Sequence, residues 1–443
     1  MAGVTAAGLA NSASAAAADR ARARNAAAPI WPILLVFYAT LLPRELRLEI
    51  GPLTLFADRL ALIPVLPFLA LQLLRGKIRL VLPDMLVVLA GLWMILAMST
   101  HYGIAGGLER GGSLDDVRRV LVLMAPGIFL AGLTVMAESL WHRHFVQLVS
   151  EQVFGRLPSY AGGDVAGIAS NTGAQRFGLL RGKGPFPHAI LAGLYLAALI
   201  PVYNMAGLRG WPRVLGNLAS MFSIFTLSST ALLALVLSWA LLFYDWLQRR
   251  VRELNWRLLI VASSAFAAML QLASNSGVAG LIGRYLSFDS QTYYFRTLIW
   301  RYGLQSVEKH PWFGIGFAGY ERPGWMITES IDAHWLLLAV RFGLPPALAL
   351  FAATVLAIAM LGHASKHARR VDQRFFRGMA IALFVMLMAM FSVAIWSSLQ
   401  TLFNLLLGGC VACTQQSRAL QSRGRRPISP SPDREPHATE TAG

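Results

Sequence analysis

Long apolar runs alternate with short polar segments along most of the chain. The longer runs have roughly 18–25 residues, which is enough for an α-helix to cross a ~30 Å hydrocarbon core. Eleven runs are candidate spans, of which several are short and the last two could form a bent hairpin, and the pattern predicts an all-α polytopic transmembrane bundle. They lie at about 28–43, 52–74, 81–99, 117–137, 188–205, 213–228, 230–245, 258–282, 334–362, 378–395 and 399–413.

Composition agrees with a membrane location. The 443 residues are 56% hydrophobic and only 14% charged, whereas a soluble chain carries nearer to a quarter charged residues. We predict a membrane domain over residues 28–413. The Ala- and Ser-rich residues 1–27 and the polar residues 414–443 are predicted to be disordered cytoplasmic tails.

Metal and cofactor chemistry are not indicated by the motifs. Cys410 and Cys413 form a C-x-x-C inside the last apolar run, but no second pair accompanies them. They are best explained as small residues in a spanning helix, and we expect no metal and no cofactor.

The formal net charge of +17 is distributed over short loops and both tails. This distribution is typical of the positive-inside bias and argues against a nucleic-acid partner. Placing three basic clusters in the cytoplasm puts residues 138–187, the turn at 227–230 and residues 283–333 together on the far side. The clusters are Arg249/Arg250/Arg252/Arg257, Lys366/Arg369/Arg370/Arg374/Arg377 and Arg418/Arg423/Arg425/Arg426.

The N-terminal half does not fit this count. The basic loop at 75–79 and the segment around Arg118 both favour the cytoplasm, yet only the run at 81–99 separates them. One crossing is therefore missing. Either residues 101–114 enter and leave the membrane, or this chain lacks a helix at that point.

A first group of candidate residues lies in the far-side segment RFGLLRGKGPFPH at 176–188. Arg176, Arg181 and Lys183 run against the orientation bias, and His188 ends the segment. Guanidinium groups bind phosphate oxygens in pairs of hydrogen bonds, and the glycines permit close approach, so an anion site is one interpretation. The other is that the arginines pair locally with carboxylates such as Asp164.

A second group lies in the long segment at 283–333. Residues 293–302, YYFRTLIWRY, favour an amphipathic helix at the membrane surface that includes Arg301, with Arg296 directed at lipid phosphates or into a cleft. The turn HPWFGIGF at 310–317 favours a close-packed loop with aromatic walls. His334 starts the next apolar run, either as an interfacial residue or as a catalytic one whose ring Asp332 or Glu329 orients.

These residues resemble the O-antigen ligase / O-antigen and exopolysaccharide polymerase superfamily. The carrying pattern is YYFRTLIW…SVEKHPWFGIGF…SIDAHWLLLAVRFGLP at 293–345, supported by RGKGPFPHAILAG at 181–193. The resemblance implies a GT-C-like fold with a large periplasmic loop. It also implies that Arg296, His334 and Arg181 are functional residues, His334 as a base or as a ligand of pyrophosphate.

Two positions depart from the family pattern. Thr230 stands where members often have an arginine after Ser, so either Arg176, Arg181 or Arg301 supplies that charge or activity is weakened. Trp335 stands where an asparagine is usual. Relatives also tend to have another helix near the missing crossing.

The resemblance further implies the reaction and its partners. A metal-independent, inverting transfer would move a glycan from undecaprenyl diphosphate to another glycan or to lipid A core, in the bacterial inner membrane. Membrane lipids and proteins of polysaccharide export or chain-length control are further expected partners. A lipid-linked glycan flippase and a non-catalytic export scaffold are the alternatives.

Overall fold

The computed structural model describes most of the membrane domain. The described residues are 30–42, 47–50, 53–74, 114–154, 175–273, 290–326, 330–366 and 368–424. The run predicted at 81–99 and most of the segment at 101–114 lie outside them.

The described chain is mostly helical. In order, its helices are α1 Trp31–Thr40, α2 Ala57–Leu74, α3 Leu114–Trp141, α4 Phe145–Phe154, α5 Ala189–Ala197, α6 Ile200–Met205, α7 Trp211–Met221, α8 Ser229–Leu247, α9 Trp256–Ala273, α10 Ser290–Lys309, α11 His334–Phe342, α12 Leu344–Ser365, α13 Arg370–Ala389 and α14 Ser398–Gly424. A 3₁₀ segment, Phe222–Thr226, joins α7 to α8.

Two short antiparallel hairpins are the exceptions to the all-α prediction. Strands β1 (Arg47–Ile50) and β2 (Leu53–Phe56) pair with Arg47 opposite Phe56. Strands β3 (Gln175–Arg176) and β4 (Leu179–Leu180) pair with Gln175 opposite Leu180.

Four helices in the described part of the chain are long and apolar enough to cross a membrane. They are Arg118–Trp141, Ser229–Leu247, Trp256–Ala273 and Leu344–Ser365, and shorter apolar helices occur at Trp31–Thr40, Ala189–Met205 and Ser398–Val411. The predicted count of about eleven spans is not confirmed. At the C-terminus α14 continues to Gly424, so residues 414–424 are helical where the sequence predicts a tail.

The apolar run at 334–362 is not one span, and that prediction is wrong. Helices α11 and α12 meet at Gly343, whose φ of +88° is unfavourable for any residue with a Cβ. The chain reverses there, because the rings of Trp335 and Phe351, eight residues to either side of Gly343, lie 5.2 Å apart between centroids. The two helices therefore form a hairpin.

One end of the bundle, which we call the basic end, is held by ion pairs between helices. Arg118 at the start of α3 lies 2.6 Å from Asp372 at the start of α13. The buried Asp245 near the end of α8 pairs with Arg377 at 2.9 Å and with Arg249 at 3.1 Å. These contacts bring Arg249 and Arg377, members of two of the predicted cytoplasmic clusters, to one end, in agreement with the predicted grouping.

Helix α9 differs from the other candidate spans. None of its residues is buried against the described protein, although it is apolar enough to cross a membrane. Its surface can therefore contact lipid or another protein chain.

Replacing Gly343 by alanine should destabilise the fold. A Cβ there would lie 2.1 Å from the Trp312 carbonyl oxygen, and the backbone has a positive φ of +88°. We expect a loss of at least about 2 kcal/mol, measured by thermal denaturation in detergent.

Gly362 supplies the matched control. It lies inside α12, where a methyl group added to the glycine would meet nothing within 4 Å among the described residues. Gly362→Ala should therefore be neutral or stabilise by up to about 1 kcal/mol. Equal melting temperatures for the two variants would contradict the description of the hairpin.

Candidate functional site

The turn between the 3₁₀ segment and α8 presents backbone carbonyls at the end of the bundle opposite the basic end. Leu227 has a left-handed conformation with φ +49°, which ends the 3₁₀ segment. Ser228 then caps α8 by accepting a hydrogen bond from the Ala231 N–H at 3.4 Å. Thr226 is the last residue of the 3₁₀ segment and Leu227 follows it, so their carbonyl groups are not used within a helix and can accept other donors.

Two predicted arginines use these carbonyls. Arg176 Nη1 donates to the Leu227 oxygen at 3.1 Å, and Arg181 Nε donates to the Thr226 oxygen at 3.5 Å. Both arginines come from the β3–β4 hairpin, which places them on one side of the turn. Each guanidinium retains further N–H groups, because one such group carries five donors.

The loop after β4 is fixed against the same 3₁₀ segment. The Gly182 N–H donates to the Phe225 carbonyl at 3.1 Å. A side chain could not fit at this position, because a Cβ would lie 2.1 Å from the Val135 carbonyl oxygen of α3. The glycine therefore permits the close approach that holds the adjacent Arg181 in place.

Arg296 joins the two arginines from helix α10. The pKa of Arg181 is lowered to about 10, first by burial and then by the positive charges of Arg176 and Arg296. Burial also lowers the pKa of Arg296. The negative charge of Asp332 acts against this decrease, and the positive charge of Arg176 adds to it. Three guanidinium groups and one carboxylate thus share a partly dehydrated region.

The Nε of Arg296 has no hydrogen-bond partner among the described residues. It is buried and makes no hydrogen bond within the described structure. Since a buried charged donor without an acceptor costs free energy, the atom is available to a bound anion.

His334 begins α11 and is buried with both ring nitrogens unpaired among the described residues. Its backbone N–H donates to the Met390 carbonyl at 2.9 Å, and the Trp335 indole donates to the Leu387 carbonyl at 3.3 Å. The ring is therefore held at the C-terminal end of α13. Trp335, the departure from the family pattern, contributes to this packing.

Asp332 does not orient the His334 ring, contrary to one of the sequence interpretations. Its Oδ1 accepts a hydrogen bond from Ser330 Oγ at 3.2 Å, and its charge acts on Arg296. The pKa of His334 is not raised but lowered to about 4, and burial is the cause. His334, which lies outside the four candidate spans, is consequently neutral at pH 7. Glu329 lies outside the described residues.

Helices α10 and α11 run in the same direction, which brings Arg296 and His334 to the same end of the pair. Gly303 packs against Leu336, and the turn that follows α10 docks on the last residues of α11. There, the N–H groups of Ile315 and Gly316 donate to the carbonyls of Val340 and Arg341 at 2.8 and 2.9 Å. The HPWFGIGF turn thus caps a helix end, while the aromatic side chains of Trp312, Phe313 and Phe317 are exposed.

His188 lies at the border of the arginine group. Its Nδ1 accepts a hydrogen bond from the Ile190 N–H at 3.2 Å and caps α5. Part of the residue is exposed to solvent. Burial of the ring, followed by the positive charges of Arg181 and Lys183, nevertheless lowers the pKa of His188 to about 4. The neutral ring then carries its proton on Nε2 and can act as a donor.

Arg301 is not brought to this group. It is exposed on α10, and five residues of helix turn it by ~140° from the direction of Arg296. Thr230 is buried in the first turn of α8. Arg176 and Arg181 therefore supply the positive charge at this turn. The sequence had indicated these two residues or Arg301 as its source.

The arrangement suits an anionic ligand. Guanidinium groups with unused donors and a neutral buried imidazole can bind phosphate oxygens and accept a proton at one nitrogen. Within the described residues, no group of three His, Cys, Asp or Glu side chains could hold a metal ion.

Comparison with known families gives one match. The family model described as O-antigen ligase matches residues 215–351. The matched segment includes the carbonyl turn, Arg296, His334 and the turn between α11 and α12, whereas Arg176, Arg181 and His188 come from the chain before the match. No curated protein matches the sequence.

The match and the apolar helices indicate a membrane protein with a segment similar to O-antigen ligases. This similarity supports a role in surface-polysaccharide biosynthesis. The O-antigen ligase family implies lipid-linked glycan and acceptor substrates.

The buried His334 should make the fold sensitive to acid. The unfolded chain binds a proton below about pH 6.5, whereas the folded ring resists protonation until about pH 4. Stability should therefore fall as the pH drops from about 6.5 to 4, with a contribution of about 1–3 kcal/mol from this ring.

Thermal denaturation of wild type and His334→Asn between pH 7.5 and 4.5 measures this contribution. The variant should lose less stability than wild type over that range, although His188 still contributes. His310→Asn, which removes an exposed histidine, should follow wild type. Parallel curves for wild type and His334→Asn would contradict the buried, neutral state of His334.

Proposed function

We propose that the protein transfers a glycan from undecaprenyl diphosphate to a second glycan or to lipid A core on the periplasmic face of the inner membrane. The observation that carries this is the group of three guanidiniums, in which Arg296 Nε is buried without a partner among the described residues. A diphosphate carries several negative charges and would satisfy both the unpaired donor and the repulsion between the arginines.

In the proposed reaction, a hydroxyl oxygen of the acceptor attacks the anomeric carbon of the donor sugar. The new glycosidic C–O bond forms as the bond between that carbon and the diphosphate oxygen breaks. The diphosphate leaves with the bonding electrons, and attack from the opposite face inverts the configuration. Arg176, Arg181 and Arg296 offset the charge that develops on the leaving group.

His334 is the proposed acceptor of the hydroxyl proton. A neutral imidazole offers one unprotonated nitrogen, and neither nitrogen of this ring is occupied by the described protein. The nearby diphosphate would make protonation of the ring more favourable, because an adjacent negative charge stabilises the imidazolium. The proposed mechanism requires no metal and no cofactor.

Replacing Arg296 by alanine should abolish glycan transfer. Removal of a buried charged contact to the leaving group should cost at least about a hundredfold in rate. The measurement is surface glycan, analysed by gel and mass spectrometry, in a deletion strain complemented with each variant at matched membrane abundance.

Arg301→Ala is the matched control on the same helix, because Arg301 is exposed and directed away from Arg296. It should restore glycan to the wild-type level. Normal glycan with Arg296→Ala would refute the assignment and favour a scaffold. Accumulation of lipid-linked donor on the cytoplasmic side in the deletion strain would favour a flippase instead.

The membrane orientation can be tested by cysteine labelling. Trp325, in the segment between α10 and α11, is 57% exposed, and Glu253 is exposed in the turn after α8 at the basic end. In intact cells with a permeabilised outer membrane, an impermeant maleimide should label Trp325→Cys and leave Glu253→Cys unlabelled until the inner membrane is opened. The native Cys410 and Cys413 are buried. The reverse labelling pattern would contradict the periplasmic placement.

A further inference from the structure

Glu138 is a buried carboxylate that the proposed reaction does not use. It lies near the C-terminal end of α3, and its side chain is fully buried. Replacement of a buried ionic group by an apolar one of similar volume is often neutral or stabilising, so burial alone does not explain a glutamate here. Its contacts indicate what it does.

One carboxylate oxygen of Glu138 binds the loop that follows Arg181, and the other accepts a hydrogen bond from the Val146 N–H at 3.4 Å, at the start of α4. Oε2 accepts hydrogen bonds from the backbone N–H groups of Lys183 at 3.1 Å and Gly184 at 2.8 Å. His144 Nδ1 donates to the same oxygen at 3.0 Å. Two consecutive N–H groups bound to one carboxylate oxygen fix the direction of the peptide that joins them.

Further hydrogen bonds complete the attachment of this loop. Gln147 Nε2 donates to the Gly184 carbonyl at 2.9 Å, and the Gly182 N–H donates to the Phe225 carbonyl at 3.1 Å. The loop is therefore fixed to α3, to α4 and to the 3₁₀ segment. Arg181, which directly precedes it, has a guanidinium whose position decides whether its remaining donors reach an anion.

We propose that Glu138 is a positioning residue that acts through Arg181. It holds residues 182–184 so that Arg181 donates to the Thr226 carbonyl and keeps its other N–H groups for the donor diphosphate. This assignment rests on the proposed function, since it takes the diphosphate as the ligand of Arg181. Displacement of a binding group by about 1 Å can cost a large factor in affinity or rate.

Affinity for undecaprenyl diphosphate without a glycan provides the test. The purified full chain in nanodiscs is titrated with this lipid, and binding is measured by thermophoresis. Glu138→Gln keeps the size of the side chain but removes the charge that binds the two N–H groups. It should weaken binding about tenfold, while Glu253→Gln, an exposed control at the basic end, should bind as wild type.

A double-mutant cycle separates positioning from general structure. If Glu138 acts through Arg181, Glu138→Gln should change the affinity less than about twofold in an Arg181→Ala background. A tenfold loss in both backgrounds, or no loss in wild type, would overturn the proposal. If Glu138→Gln does not fold, as judged by its melting curve, Gln147→Leu removes one bond to the same loop and enters the same cycle.

The hypothesis of a diphosphate site and the hypothesis that Glu138 positions Arg181 can be refuted separately. Arg181→Ala and Arg296→Ala with wild-type affinity would refute the diphosphate site and the role of Glu138 with it. Weakened binding in both arginine variants, together with unchanged binding in Glu138→Gln and Gln147→Leu, would refute only the positioning role.

Discussion

Mutual repulsion of guanidinium groups is the constraint around which the site is built. Burial, followed by the positive charges of Arg176 and Arg296, lowers the pKa of Arg181 to about 10. Their placement is opposed by electrostatics and has to be held by other contacts. The carbonyls at Thr226 and Leu227 accept hydrogen bonds from two of these groups, and Asp332 offsets the charge of the third. The left-handed Leu227 and the capped start of α8 expose those carbonyls. The local backbone geometry therefore determines where the two arginine side chains can bind.

Much of the site could be predicted from the sequence, since charge and hydropathy are strong signals in a membrane protein. Arginines on a segment predicted to be translocated oppose the orientation bias, which left an anion site and local pairing with carboxylates as the two interpretations. The same bias grouped the segments at 176–188, 227–230 and 290–334, and the structure brings them together through Arg176, Arg181 and Arg296. The absence of Arg301 from the arginine group could also have been predicted, because five residues along a helix change the direction of a side chain.

Other features depend on contacts that a single sequence does not reveal. The run from His334 to Ser365 is apolar throughout, and hydropathy does not distinguish a straight helix from a hairpin. Reversal at Gly343 follows from its backbone angles and from the Trp312 carbonyl that approaches it. The partners of Asp332 and Glu138 are equally hidden, because a carboxylate in a polar loop or near a helix end has many possible donors. Glu138 binds residues 45 and 46 positions away.

The hairpin also sets the depth of the site. Phe351, which packs against Trp335, lies 14 residues before the end of α12, or about 21 Å along a helix axis. Met390, which accepts the His334 N–H, is 20 residues from the start of α13, or about 30 Å. These lengths place His334 about 21–30 Å from the basic end, most of the way across the ~30 Å hydrocarbon core. With the basic end at one headgroup layer, the ring of His334 lies toward the opposite layer, where the proposed reaction places the diphosphate of a polyprenyl lipid.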